Sequence, residues 1–196
     1  MMLSRIVISP WKSIRKTSTR LNRGTVRFEL DDLEGALEDF QRAIELKPEY
    51  AFVYNNLGSL YMQKGQLKEA RQNFNKRLHL EPDTAYTALI SLGIMDRFEG
   101  KTESVDRFSL ALDIWHSPWG ARLHKRSKAH ECRALALICM GRKAEALAAL
   151  NDAFECRYPR EKIELYGYEM LANAPNPPDG VDEMLVIMRR AKEARK

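Results

Sequence analysis

The feature that most constrains this chain is a recurrence at 34 residues. Gly24 precedes Gly58, Ala36 precedes Ala70, Phe40 precedes Phe74 and Pro48 precedes Pro82 by that same interval. A fixed period of this length marks one supersecondary unit copied along the chain, each copy too small to bury its own apolar face and so stacked on the next. Inside the clearest copy, Tyr54, Leu57, Gly58 and Tyr61 share one face of a first helix. Gly65 is suited to end that helix in a left-handed conformation, and Leu67, Ala70, Phe74 and Leu78 mark the inner face of a second one. Gly58 and Ala70 are where the two helices approach closely, with Tyr54, Tyr61 and Phe74 filling the space around them. Pro82 cannot continue the hydrogen-bond ladder and stops the second helix.

Written as a motif, Tyr54-x2-Leu57-Gly58-x2-Tyr61, then Ala70-x3-Phe74, then Pro82, resembles the tetratricopeptide pattern, with Tyr in place of the usual first Trp. The resemblance implies an all-α fold: a right-handed superhelical array of antiparallel helix pairs, the first helix of each pair lining a concave groove. It covers about residues 17–158 as four repeats, with a weaker extension over 159–196.

The first repeat runs from Thr17 to Pro48, with Arg20, Arg23 and Arg27 standing where the second has Tyr54, Leu57 and Tyr61. At the end of an array one face meets water, so these arginine stems are expected to lie along apolar surface with their charges outward. The third repeat spans about Ala85–Ile114, through Leu89, Leu92, Gly93, a turn at Gly100, then Ser104, Phe108, Ala111, Leu112 and Ile114. Ser117-Pro118 reads as a cap and first-turn proline, so the next helix is expected to begin there and run through His124 and Arg126 to Met140. Its partner follows Gly141 with Ala146, Leu150 and Ala153. An atypical closing pair is outlined by Ile163, Tyr166, Gly167 and Met170, then, after Ala174–Pro178, by a stripe of Val181, Met184, Leu185, Met188 and Ala191. It is expected to cap the last repeat.

Charge is distributed unevenly. No acidic residue precedes Glu29, and the seven basic residues before it leave the remainder of a +5 chain at −2. The expectation is a basic, disordered arm over residues 1–16. Its hydroxyl-rich, acid-free start is like a mitochondrial transit peptide, which would place the chain in the matrix. A plain tail or an early start would leave it cytoplasmic. No apolar run is long enough for a membrane-spanning helix, and an odd set of three cysteines suits a reducing compartment.

Little points to chemistry. Gly100-Lys101-Thr102 lacks the earlier glycine and the strand of a phosphate loop, since Met95 stands at the glycine position. His124, His130, Cys132 and Cys139 match no zinc spacing, and Cys132 and Cys139 sit in an apolar helical pattern as buried thiols. No nucleophile elbow or set of nucleophile, base and oxyanion donors is recognisable. The expectation is a non-catalytic protein with no cofactor and no metal.

The resemblance implies that groove-facing residues lie beside the core stripe of each first helix. In the second repeat these are Phe52, Asn55, Ser59 and Met62, with the neighbouring Asn56; in the third, Thr87, Ile90, Ile94 and Arg97; in the first, Leu21, Thr25 and Phe28. Such a surface suits an extended peptide or an amphipathic helix of a partner protein, with Asn55 and Asn56 bonding its backbone. The family's two-carboxylate clamp is matched only at Asn56, since Leu21, Thr25 and Ser91 occupy its other positions. Arg77, where the family usually has alanine, is expected to open the packing locally. Rival readings are a nucleic-acid-associated protein gripping phosphates with the basic arm, or an organellar assembly factor for which the arm is an address.

Overall fold

The computed structural model describes the fold of residues 10–123, 127–155 and 165–193. Among these residues there is no strand, and the helices are α1 (Pro10–Glu29), α2 (Leu33–Leu46), α3 (Ala51–Gln63), α4 (Leu67–Leu80), α5 (Tyr86–Phe98), α6 (Ser104–His116), α7 (Ser127–Cys139), α8 (Lys143–Glu155), α9 (Tyr166–Ala172) and α10 (Val181–Glu193). They fall into two compact units, α1–α4 and α5–α10. Within each unit consecutive helices pack as pairs: α1 with α2, α3 with α4, α5 with α6 and α7 with α8.

The 34-residue recurrence has one geometric cause in the first three pairs. A Cβ placed on Gly24 would lie 2.6 Å from Phe40 Cε1, on Gly58 2.5 Å from Phe74 Cε1, and on Gly93 2.6 Å from Phe108 Cε1. Each first helix therefore presents bare backbone to the ring of its partner, and all three rings are buried. Counted from the Gly65 and Gly141 turns, Ala134 stands where Gly58 does and Leu150 where Phe74 does, both buried. At these two positions the fourth pair has an alanine for the glycine and a smaller side chain for the ring, an exchange that conserves volume.

The turns inside the later pairs use Gly65, Gly100 and Gly141, all at φ between 72° and 74°. The corresponding residue of the first pair is Asp31, at φ 64°. An aspartate tolerates this left-handed conformation better than most side chains, and its carboxylate accepts from Gln63 Nε2 at 3.0 Å. Asp31→Val should lower stability by about 1–2 kcal/mol, whereas Asp31→Gly should be near neutral. Urea denaturation of the two variants measures the difference.

Three expectations are corrected by this architecture. Residues 10–16, assigned to the disordered arm, lie in α1, which begins at Pro10, where a proline costs no hydrogen bond; residues 1–9 lie outside the described residues. The helix expected from Ser117 is instead a single 3-10 turn, Gly120–Arg122, and α7 starts only at Ser127. Ser117 does cap, because its Oγ accepts from the Gly120 N–H at 3.2 Å, but the backbone at Gly120 doubles back against the carbonyl end of α6 where a Cβ has no room. His124 and Arg126 lie outside the described residues, as do Ile163 and Cys156.

The closing pair is the third correction. The expected stripe of α10 is buried at Val181, Met184, Leu185, Met188 and Ala191. Yet α9 packs on α5 and reaches α7, so it covers the first helices of the third and fourth repeats rather than only capping the end. At Gly167 an added Cβ would touch Leu135 Cδ1 at 3.4 Å and Ile94 Cδ1 at 3.6 Å, and the buried Tyr168 hydroxyl donates to the Glu131 carbonyl at 3.5 Å. Enclosed in this way, the C-terminal half of α7 is apolar all round, with Ala134 to Cys139 all buried.

Candidate partner-binding surface

In the first unit, Leu21 lies in the core with Ala36, Phe40, Ala43, Val53, Leu57 and Leu60, and Phe28 packs partly against that cluster. Leu21 is therefore not a groove residue: α1 turns it inward, where α2 and α3 cover it. Thr25 and Asn56 pin the two first helices together, the Asn56 Nδ2 donating to Thr25 Oγ1 at 2.8 Å. This spends one of the two Asn56 amide N–H donors inside the unit instead of on a ligand. Met62 is also buried, whereas Asn55 and Ser59 are half-buried.

Phe52 is different. It is 45% exposed at the start of α3, with its ring edge-on to Tyr50 at 6.2 Å and under the Arg77 guanidinium at 4.9 Å. Arg77 itself is buried, and Ala70 and Phe74 beside it remain fully enclosed, so the arginine does not open the packing as expected. Its charge lies over an aromatic face, an attractive arrangement that also fixes the ring.

The arginines of α1 depart furthest from the sequence reading. Arg20, Arg23 and Arg27 do not simply point to water: they converge on Asp39 of α2, whose side chain is fully buried. Arg20 Nη1 donates to Asp39 Oδ1 at 3.0 Å, Arg23 Nε to Oδ2 at 2.7 Å with its Nη2 also on Oδ1, and Arg27 Nη1 to Oδ2 at 3.0 Å. The Arg23 hydrogen bond, aided by Arg20 and Arg27, holds the Asp39 carboxyl below its ordinary range against the opposing pull of burial. The available signal was arginines at helical spacing facing a carboxylate three residues after Ala36, on the buried face of α2. The third pair reverses these charges. Asp96 stands three after Gly93 as Arg27 stands three after Gly24, and Arg107 precedes Phe108 as Asp39 precedes Phe40; Arg107 Nε bonds Asp96 Oδ2.

In the second unit, Ile90 and Ile94 are buried, and Ile94 meets α9 at Gly167. Arg97 donates to the carbonyls of Cys139 at 3.5 Å and Asn176 at 3.2 Å. Of the groove residues expected in the third repeat, Ile90 and Ile94 are thus enclosed within the folded chain, Arg97 holds its C-terminal segment and Thr87 is half-buried. They offer no open apolar patch. Cys132 and Cys139 are buried in the core, and burial pushes the Cys139 thiol up to about 12, so it stays protonated and unreactive. Among the described residues no group of His, Cys, Asp and Glu is placed to hold a metal, and no helix is long and apolar enough to cross a membrane.

Helix pairs locked by a recurrent glycine and aromatic ring define a helical-repeat protein. Residues 24–84 match the tetratricopeptide family: the TPR repeat family model matches residues 24–65 and the tetratricopeptide repeat model residues 53–84. Similar curated proteins include human tetratricopeptide repeat protein 6, 32% identical over 35% of this chain, and the CTR9 homolog of Arabidopsis thaliana, 33% identical over 48%. BBSome complex member BBS4 of Bos taurus is 33% identical over 35% of the chain. The chain spans only 13%, 9% and 13% of these relatives' lengths. Among solved structures, a crystal structure of MamA aligns with 71% of this chain and 77% of its own, at 19% identity and a TM-score of 0.47.

Proposed function

We propose that the chain is a non-catalytic interaction scaffold whose first unit docks a peptide or amphipathic helix of a partner protein around Phe52, Asn55 and Ser59, with Phe28 at the edge. The observation that carries this reading is Phe52, a half-exposed aromatic ring held in place by Tyr50 and Arg77. An anchor fixed before binding loses little entropy on docking, and rigid aromatics dominate interface energetics. Tetratricopeptide repeats support a protein as the partner, and the likeness to a BBSome complex member supports a role within a multi-protein assembly.

Phe52→Asp should reduce partner capture from the native host at least tenfold, with helical content unchanged by circular dichroism. Capture at the wild-type level by that variant would overturn the assignment. Ile90→Asp does not serve as a probe, since it would bury a carboxylate in the second unit.

A further inference from the structure

Inside the first unit, α2 covers one face of α3, and the residues it buries there include Val53, Leu57 and Leu60. Displaced by the repeat length, the same face of α1 carries Thr19, Arg23 and Val26, followed by Leu30. Val26 is 53% exposed, Leu30 75% and the Arg23 side chain 48%. The face that a helix covers in the second repeat is thus uncovered in the first. It has also been changed from aliphatic to mixed basic and aliphatic.

Charge decides what fits. Arg20, Arg23 and Arg27 surround one buried carboxylate, with Asp32 3.6 Å from Arg27 Nε and Glu38 close enough to act on Arg23. Three guanidiniums with five N–H donors each carry more donors than the hydrogen bonds they make to Asp39 and, from Arg27, to the Gly35 carbonyl. Asp39 also holds them in fixed planes, so further carboxylates meet a pre-organised cationic surface. The chain's own first nine residues are unsuited by charge, since they contain Arg5 and no acidic residue.

We propose that this face of α1 is a second docking surface, taking an acidic amphipathic helix of a partner protein: its apolar stripe on Val26 and Leu30, its carboxylates on Arg20, Arg23 and Arg27. The helix would lie on α1 as α2 lies on α3. Nucleic acid fits less well, because Val26 and Leu30 give a phosphate backbone nothing to bind. This surface is independent of Phe52, so either assignment can fail alone.

The test titrates the full chain with a fluorescent helical peptide of roughly five turns, leucines at i, i+3, i+4 and i+7 and glutamates elsewhere, against a counterpart with lysine for every glutamate. The glutamate peptide should bind at low salt and at least tenfold more tightly than the lysine peptide, and Val26→Glu with Leu30→Glu should abolish that binding. These positions are exposed, so the fold survives the change, as circular dichroism should show; Arg20→Gln, which leaves Arg23 and Arg27 on Asp39, should weaken binding severalfold. Equal binding of both peptides, no binding of either, or binding untouched by the Val26/Leu30 variant would overturn the proposal. So would self-association of the chain through this face by light scattering, or a DNA oligonucleotide that displaces the peptide and ignores the Val26/Leu30 variant.

Discussion

Gly58→Ala should destabilise the chain by about 1–2 kcal/mol, even though alanine is the better helix former by about 1 kcal/mol. The added methyl has nowhere to go: its position is 2.5 Å from Cε1 and 2.6 Å from Cδ1 of Phe74, a fully buried ring. Overpacking of this kind costs about 1–3 kcal/mol beyond the propensity gained. Phe74→Ala errs in the other direction and should cost about 3–5 kcal/mol by leaving a cavity. The double variant Gly58→Ala with Phe74→Leu reproduces the Ala134 and Leu150 combination of the fourth pair, and its cost should be clearly less than the sum of Gly58→Ala and Phe74→Leu made singly. A urea-denaturation cycle at constant m-value measures that coupling. Strict additivity would mean that residues 58 and 74 do not share one space.

The second large effect is expected at Asp39. Asp39→Ala leaves Arg20, Arg23 and Arg27 together without the carboxylate that holds them, and should cost about 1–3 kcal/mol, limited because the arginines are partly exposed and regain water. The same residue gives the chain an acid dependence. Because Arg23, and after it Arg20, lowers the Asp39 pKa, the folded chain binds this proton less readily than the unfolded one, whose carboxyl titrates near about 3.9. The stabilisation is complete above that unfolded value and is lost as pH falls through the lower folded one. Between about pH 5 and 3 the wild type should lose stability faster than Asp39→Ala. Parallel pH profiles of the two would refute the linkage.

Much of the fold was legible because the repeat is enforced by backbone contact. Gly24, Gly58 and Gly93 must be bare for the rings of Phe40, Phe74 and Phe108 to fit, and such positions leave a mark that spacing alone exposes. Asp31 was missed because an aspartate can take the left-handed turn that the later repeats give to glycine. The ion cluster was hidden for another reason. Arginine at helical spacing reads as a solvated face unless a buried carboxylate on the neighbouring helix is recognised, and Asp39 lies next to the more conspicuous Phe40. In the candidate site, Phe52 was readable as a large apolar residue beside the core stripe. Periodicity placed Ile90 and Ile94 on the first-helix face of the third repeat, but it carries no information about α9, which comes from some 70 residues further along and covers Ile94.

One glycine and ring contact, made three times, builds three of the helix pairs, and the proposed docking surfaces stand on the first two. Proton NMR of the intact chain reads it directly, through nuclear Overhauser effects between the α-protons of Gly24, Gly58 and Gly93 and the rings of Phe40, Phe74 and Phe108. All three contacts should be present, with the glycine α-protons shifted by the facing rings. Absence of the contact at Gly58, with Phe74 ordered, would contradict the repeat packing from which the rest is derived.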